Sequence, residues 1–320
     1  MLKFFSKKEY RLIADYFGIG KIRKINFIRG GLQTPKAIVT TPKGKFVVSK
    51  HRIYTNRGIV GKSKQSLQYE IDLLKLLRNL PVPHFLPTKT GEFIFNFKGF
   101  GITVDRYIPG KQPKVINKKM AGALGRFLGL FHLQGKRFNK RLVGRRKFYN
   151  LNPSLIKKMH IYARRQKNMT LRNVVAEVKQ GVENNQLSKN LPKGPIHVDI
   201  KPENELFLGD RLMGVVDFGN FYIDVLMIDI GKTIMWNCSK NGKLSLNLVK
   251  EFMRGYESVR KLSVEEKQYF KKAILFAIYS HIWVDLYHVP IKYVPESYTI
   301  FLVKEFLPVA KWLEKHKIKI

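Results

Sequence analysis

Two short polar motifs near the middle of the chain, separated by one apolar stretch, constrain the fold more than any other feature. The first motif is IHVDIKPEN, which contains His197, Asp199 and Asn204. The second is VVDFG, in which Asp217 ends an apolar run, and the stretch ELFLGDRLMGVV lies between the two. This spacing predicts a loop followed by a β-hairpin, whose strand MGVVDF brings Asp217 next to the loop.

The residue types in these motifs suit the transfer of a phosphoryl group to a hydroxyl. That reaction needs a carboxylate to accept the hydroxyl proton, and oxygen ligands that hold magnesium between the β- and γ-phosphates of ATP. Asp199 fits the first role, and Asn204 and Asp217 fit the second. Asp and Asn are common in turns, but H-x-D-x-x-x-x-N followed closely by D-F-G is the catalytic signature of the kinase superfamily. The motifs therefore predict an ATP- and Mg²⁺-dependent phosphotransferase.

The composition places few limits on this prediction. With 320 residues, 44% of them hydrophobic, the chain is long enough for two lobes that share a cleft. We predict no transmembrane segment, because no stretch approaches the ~20 apolar residues of a membrane span. The N-terminal run MLKFFSKKEYRL has charges too close together for a signal peptide, and the single cysteine, Cys238, rules out an intramolecular disulfide. We expect a cytoplasmic protein.

Positive charge is concentrated in one part of the chain. The formal net charge is +37, and no Asp or Glu occurs between Arg106 and Ala176, where basic residues are densest in GKRFNKRLVGRRKF. This segment is either a solvated basic face or a surface for an anionic partner such as nucleic acid or an acidic membrane. The sequence leaves both interpretations open.

The pattern of apolar residues predicts an α+β protein with two lobes. Residues 1–107 form a small nucleotide-covering lobe: KIRKINFI, KAIVTT and KFVVSKHR alternate as antiparallel strands do, and the helix SLQYEIDLLKLLRNL stops before PVP. The glycines in MAGALGRFLGLFHL permit close helix packing, and Ser263 before Glu266 predicts a capping box. Residues 108–320 are mostly helical and form the catalytic and substrate-binding lobe.

Several segments resemble the aminoglycoside phosphotransferase and choline kinase superfamily, which has a protein-kinase-like fold. The stretch from PKGPIHVDIKPEN through DFGNFYIDVLMIDIGKT to FMRGYESVRKLSVEEKQYF is most similar to the homoserine-kinase branch. GKFVVSK, YEIDLLKLL, PVPHFLPTKTGEF and IPG also resemble that family in order and spacing. The resemblance covers nearly the whole chain and implies phosphorylation of a small-molecule hydroxyl.

The resemblance assigns roles to the residues of the catalytic motifs. Asp199 is implied as the base, and Asn204 and Asp217 as the magnesium ligands. His197 is implied as an organiser of the loop. Asp229, in MIDIGKT, resembles the acidic residue that supports this loop from the following helix.

The resemblance also implies a nucleotide site in the first lobe. Lys50 would bind the α- and β-phosphates with Glu70 as its partner, although Ser49 takes the inward position if the strand register shifts by one residue. The turn at Gly30 and Gly31 would cover the phosphates with backbone amides. Adenine would lie against the backbone of a hinge formed by Arg106, Tyr107 and Ile108.

The acceptor is less defined, because the chain departs from the homoserine-kinase branch. GGLQTPKA replaces an Asn-rich segment, Gly219 replaces an aromatic residue, and Asp285 stands where an arginine is usual. Asp285 would repel a substrate carboxylate, whereas Asp224 and Asp285 could both receive an ammonium group. Homoserine-like amino alcohols, amino sugars and sugars are the candidate acceptors.

Two alternatives remain open at this stage. HVDIKPEN is similar to the loop of serine/threonine protein kinases, in which Lys201 would contact the transferred phosphate; however, Val198 replaces an arginine and no A-P-E follows the D-F-G. The second alternative is a non-catalytic structural member of the superfamily, which the joint presence of Asp199, Asn204 and Asp217 argues against.

Overall fold

The computed structural model describes residues 4–28, 34–53, 63–142, 153–165, 169–288 and 295–318. The chain begins with a helix and a five-stranded antiparallel sheet of order β1-β2-β3-β5-β4, with a second helix inserted after the third strand. These elements are α1 (Lys7–Tyr16), β1 (Lys24–Ile28), β2 (Lys36–Thr41), β3 (Gly44–Arg52), α2 (Lys64–Leu76), β4 (Phe95–Phe97) and β5 (Phe100–Arg106).

The rest of the described chain is mostly helical, with short paired strands around the catalytic motifs. β6 pairs with β9, β7 with β8 and β10 with β11, all antiparallel. The elements are α3 (Lys118–Gly135), α4 (Pro153–Arg165), α5 (Met169–Asn184), β6 (Lys193–Ile196), β7 (Glu205–Leu208), β8 (Arg211–Val215), β9 (Tyr222–Val225), α6 (Leu226–Cys238), β10 (Ser239–Lys240), β11 (Lys243–Leu244), α7 (Leu246–Glu257), α8 (Val264–Gln268), α9 (Phe270–His288) and α10 (Glu296–Lys315).

The two faces of the five-stranded sheet pack against different helices. Alternate residues such as Phe46 and Val48 point to α1 and bury its Tyr10 and Ile13. The opposite face lies on the side of α2, because Glu70 of that helix acts electrostatically on Asp105, the next residue after the α1-facing Val104. α2 also joins the large core of the helical part through Leu73, Leu74 and Leu77. The helix therefore links the sheet to the part of the chain that carries the catalytic motifs.

Helix α1 is absent from the sequence prediction, which gave one helix to residues 1–107. A capping box starts it: Ser6 Oγ accepts the N–H of Glu9, and Glu9 Oε2 accepts the N–H of Ser6. The S-x-x-E pattern was therefore a usable signal. The capping box predicted at Ser263 and Glu266 is confirmed, but its helix is short, because α8 ends at Gln268 and α9 starts separately.

The predicted α+β architecture is confirmed, whereas the exact division into lobes stays a prediction. The predicted boundary after residue 107 lies in the connection between β5 and α3. Within the described residues, no helix is both long enough and apolar enough to cross a bilayer.

The glycines of α3 allow its backbone to touch that of α7. A Cβ atom at Gly125 would overlap the carbonyl oxygen of Phe252, and one at Gly129 would lie 2.9 Å from the carbonyl oxygen of Tyr256. Both contacts are with main-chain atoms, which cannot rotate away as a side chain can. The close packing predicted from MAGALGRFLGLFHL is present at these positions.

We expect Gly125→Val to destabilise the protein by about 3 kcal/mol, because α3 must move away from α7 to make room for the new side chain. Gly122→Ala is the matched control in the same helix: its Cβ would lie 3.6 Å from the carbonyl oxygen of Glu251, an ordinary contact. Alanine there should be neutral or stabilise by up to about 1 kcal/mol. Urea unfolding of the two variants measures the difference, and equal stabilities would show that the two helices separate freely.

Candidate active site

The loop between β6 and a 3₁₀ turn at Pro202–Asn204 is held by a buried carboxylate. Asp229, in the first turn of α6, accepts the backbone N–H groups of His197 and Val198, each at 2.7 Å. Val198 has φ 62°, a left-handed conformation that costs a branched residue about 1–3 kcal/mol. The carboxylate therefore fixes a backbone shape that the chain does not favour by itself.

The imidazole of His197 joins this loop to the end of β8. Its Nε2 donates to the carbonyl oxygen of Val216 at 3.1 Å, and its Nδ1 accepts the N–H of Asp199 at 3.2 Å. These two partners assign a neutral ring with the proton on Nε2. The ring also packs edge-on against Phe218, with centroids 4.5 Å apart and an angle of 66° between the ring planes. His197 thus bonds both within the loop and to the chain just before Asp217, and its role as an organiser of the loop stays a prediction.

The carboxylate of Asp199 lies between an ammonium and an amide. Its Oδ1 is 3.1 Å from Nζ of Lys201, and its Oδ2 accepts Nδ2 of Asn204 at 3.2 Å. Burial raises the pKa of Asp199; the nearby Lys201 opposes this shift and Asp217 adds to it. Burial alone would disfavour the charge on Lys201, but the Asp199 carboxylate raises the pKa of Lys201 above its usual range. The result is a fixed, largely desolvated carboxylate with a cation beside it.

The oxygens of Asn204 and Asp217 suit a hard divalent cation. Nδ2 of Asn204 donates to both the carbonyl and the carboxylate of Asp199, which leaves Oδ1 as a ligand. The N–H of Val216 donates to the carbonyl oxygen of Asn204 at 2.9 Å, so the chain immediately before Asp217 is attached to the loop. Asp217 itself has φ 67°. One carboxylate and one amide oxygen, completed by substrate phosphates and water, are a donor set that fits Mg²⁺.

A buried chain of hydrogen bonds connects Asp229 to the helices behind it. His132 Nε2 lies 3.3 Å from Asp229 Oδ2, and His132 Nδ1 lies 2.8 Å from the hydroxyl of Tyr256. That hydroxyl accepts from Arg260 at 2.9 Å, and Arg260 donates to Glu266 at 2.7 Å. Because the Asp229 carboxylate can only accept, Nε2 of a neutral His132 carries the proton and donates to it, and Nδ1 therefore accepts from the hydroxyl of Tyr256. Burial lowers the pKa of His132, in agreement with this neutral form.

Lys50 does not face α2, and the prediction that it pairs with Glu70 is corrected. Its Nζ lies 4.2 Å from the ring centroids of both Phe5 and Phe100. Phe5 belongs to the cluster on the α1 face, which Lys50 shares because it is two residues beyond Val48. Ser49 therefore takes the inward position, as the alternative register required.

The other predicted nucleotide contacts divide between described and undescribed parts of the chain. Gly30 and Gly31 lie outside the described residues. In the predicted hinge, the N–H of Arg106 donates to His84 and the N–H of Tyr107 donates to Lys45, each at 3.1 Å. Within the described part of the chain, the N–H of Ile108 donates to no backbone carbonyl oxygen.

Asp285 lies in a group of polar side chains near the catalytic loop. Its Oδ2 is 3.6 Å from His281 Nε2, and His281 Nδ1 is 3.3 Å from Nζ of Lys232. Burial lowers the pKa of Lys232 to about 7, while Asp285 and Asp199 oppose the shift. Tyr298 is near the same groups: burial raises its pKa to about 12, Lys201 opposes this, and Asp285 and Asp199 add to it.

Asp224, the second predicted substrate carboxylate, lies on β9. Asp224 pairs with Gly194 on β6, and its Oδ1 accepts a hydrogen bond from the N–H of Val225 at 2.9 Å. Asp285 and Asp199 thus both act electrostatically on Lys232 and Tyr298, whereas the role of Asp224 stays a prediction.

The sequence model of a phosphotransferase enzyme family matches residues 24–263, which span the sheet, the catalytic loop and α7. The chain belongs to this phosphotransferase enzyme family. Membership confirms the predicted enzyme class.

Individual relatives of this phosphotransferase agree with the family assignment. A homoserine kinase of Xanthobacter autotrophicus is 25% identical over 265 residues, covering 81% of this chain and 78% of the relative. Among solved structures, an amicoumacin kinase in complex with AMP-PNP, Ca²⁺ and Ami has a TM-score of 0.65 at 14% identity, with 97% and 94% of the two chains covered. A microcompartment-associated aminopropanol kinase has a TM-score of 0.63 at 13% identity, with 95% and 96% covered. The likeness to these structures confirms the kinase-like fold.

Some residues of the phosphotransferase site were not identified from its sequence. The segment GYESVRKLSVEE was recognised as similar to the homoserine-kinase branch, but only the packing of α3 against α7 shows that Tyr256 contacts His132. Trp236 is another residue that the sequence did not identify. Its ring centroid lies 5.4 Å from Nζ of Lys201 and 5.1 Å from the ring centroid of His281. No local pattern marked His132 or Trp236, since each acts through residues distant in sequence.

Proposed function

We propose that this phosphotransferase transfers the γ-phosphoryl group of ATP to a hydroxyl of a small molecule, with Asp199 as the base. The observation that carries the proposal is the geometry of Asp199, which is held by Asn204 and Lys201 on a loop anchored by Asp229. The acceptor oxygen forms a bond to the γ-phosphorus, the bond from that phosphorus to the bridging oxygen breaks, and ADP leaves. The hydroxyl proton goes to Asp199.

Asn204 and Asp217 are the proposed ligands of Mg²⁺. When bound, this ion neutralises charge on the β- and γ-phosphates. Lys201 opposes the rise that burial causes in the pKa of Asp199 and so favours the ionised carboxylate, and its ammonium is close enough to that carboxylate to contact the γ-phosphate as well.

ATP is the proposed phosphoryl donor, with adenine placed against the hinge. The structural relative with AMP-PNP supports this choice, since AMP-PNP is an analogue of ATP. The N–H of Ile108 is the proposed hinge donor, because the N–H groups of Arg106 and Tyr107 already bond to carbonyl oxygens.

An amino alcohol is the acceptor that we propose first. The homoserine kinase and the aminopropanol kinase act on compounds of this class by name. Asp285 is the proposed site for the ammonium group, because it is only 6% exposed and is electrostatically coupled to the surroundings of Asp199. Amino sugars and sugars remain in the candidate set.

The proposal does not include an anionic partner at the basic segment 106–176. Part of that segment, residues 143–152 and 166–168, lies outside the described chain. Within the described part, Lys140 pairs with Asp72 at 2.5 Å and Lys119 lies 3.8 Å from Asp210. Some positive charges of the segment are therefore paired with carboxylates of the same chain. Binding of nucleic acid or of an acidic membrane stays a hypothesis.

A nucleotide-consumption screen tests the proposed function. Wild-type protein with Mg²⁺ and ATP is offered amino alcohols, including homoserine and aminopropanol, then amino sugars, sugars and aminoglycosides, and Asp217→Ala serves as the blank. We expect ADP formation that depends on an acceptor from the first three classes and is at least about a hundredfold slower in the blank. ADP formation that is identical with and without every acceptor would exclude a small-molecule kinase.

A further inference from the structure

The register of the sheet places a lysine of β2 directly across from the inward position of β3. Lys36 pairs with Ser49, and Ser49 pairs with Thr103 on β5. Residues that pair directly across antiparallel strands point to the same face, with Cα atoms about 5 Å apart. Lys36 and Ser49 therefore share one face of the sheet, and Lys50 lies on the other.

Electrostatics show which groups the ammonium of Lys36 faces. Burial raises the pKa of Asp105 to about 7; Lys36 opposes this shift, and Glu70 adds to it. Lys36 and Glu70 therefore both lie within electrostatic reach of Asp105, on the α2 face of the sheet. Asp105 directly precedes the hinge residue Arg106, so this group lies at the edge of the proposed adenine site.

The same face looks toward the proposed metal ligands. α2, which carries Glu70, also contacts the 3₁₀ turn Phe218–Asn220 that follows Asp217. A nucleotide that reached from the hinge to Asp217 would therefore pass along this face of the sheet. Among the described residues, Lys36 forms no salt bridge within 4.0 Å, so its effect on Asp105 acts over a longer distance.

We propose that Lys36 of β2, rather than a lysine of β3, binds the phosphates of the nucleotide, with the small side chain of Ser49 leaving space for it. This inference rests on the proposed function and names the cation of that site. The phosphates would gain the charge-assisted hydrogen bonds that a lysine supplies at such sites.

Nucleotide binding by Lys36→Met and Lys50→Met tests the proposal. Both variants replace a lysine in the same sheet by an uncharged side chain of similar length, but on opposite faces. Isothermal titration with Mg²⁺ and ATP, and separately with adenosine, requires no acceptor. We expect Lys36→Met to weaken ATP binding about a hundredfold and to leave adenosine binding unchanged. We expect Lys50→Met to bind ATP within about threefold of wild type, because its ammonium lies against two phenylalanine rings.

Different results reject different parts of the account. If wild type binds no ATP, the proposed function fails. If wild type binds ATP and Lys36→Met binds it equally well, the function stands and the assignment of Lys36 is overturned. Loss of ATP and adenosine binding by the same factor in Lys36→Met would also overturn the assignment, since it would indicate a structural role without a phosphate contact.

Discussion

Asp199→Asn is expected to lower kcat by about a thousandfold while leaving the affinity for ATP within about threefold of wild type. The asparagine keeps the size of the side chain and an oxygen near Lys201, but it cannot accept the proton of the acceptor hydroxyl. Loss of a general base typically costs ~10²–10⁴ in rate. Because Asp199 lies on the loop and not on the sheet, nucleotide binding should persist. Steady-state kinetics with the best acceptor from the screen, together with ATP titration, give both quantities.

Asp210→Asn is the control for this substitution. Asp210 lies in the turn between β7 and β8, and its carboxylate accepts from Asn117 at 2.7 Å; it is exposed, whereas Asp199 is buried. The control should retain kcat within about twofold, since surface substitutions away from a site have small effects. An Asp199→Asn variant with wild-type kcat would remove the base from the mechanism.

Asp229→Ala is expected to have the largest effect on folding. Asp229 is fully buried and accepts the N–H groups of His197 and Val198 as well as Nε2–H of His132. Alanine leaves these donors without an acceptor, at about 1–3 kcal/mol each. The sum, about 3–9 kcal/mol, is comparable to the whole free energy of unfolding of a typical domain. Thermal unfolding should show a decrease in Tm of about 10 °C or more, and activity should be lost.

Tyr256→Phe provides a graded comparison with Asp229→Ala. It removes the hydroxyl that joins His132 to Arg260 but keeps the ring in the core, so it should cost about 1–2 kcal/mol. Activity should fall less than in Asp229→Ala, because the loop keeps its direct bonds to the carboxylate. A Tm for Asp229→Ala equal to that of wild type would mean that the loop holds its shape without this support.

The catalytic motifs could be predicted because their residues are close in sequence and act within a few ångströms. His197, Asp199 and Asn204 share one loop, and a single hairpin returns the chain to Asp217. Their spacing therefore carried most of the geometry. The kinase-like fold followed from the same motifs together with the change from strand to helix periodicity.

The sheet lysine could not be predicted in the same way, because side chains alternate between faces and a shift of one residue exchanges them. KFVVSK ends in a lysine, but the burial of Phe46 and Val48 against α1 sends Lys50 to that face. Pairing between β2 and β3, which places Lys36 beside Ser49, depends on the turn between the strands and on tertiary packing. The sequence therefore predicted a phosphate-binding lysine on the sheet, but it did not point to Lys36, which we propose from the strand register.

The most direct test of the account is mass spectrometry of the reaction mixture after wild-type protein has been incubated with Mg²⁺, ATP and an acceptor found in the screen. We predict one product heavier than the acceptor by a single phosphoryl group, formed in equal amount to ADP and absent with Asp199→Asn. ADP that appears without a phosphorylated small molecule, or with phosphate attached to protein instead, would contradict the central claim.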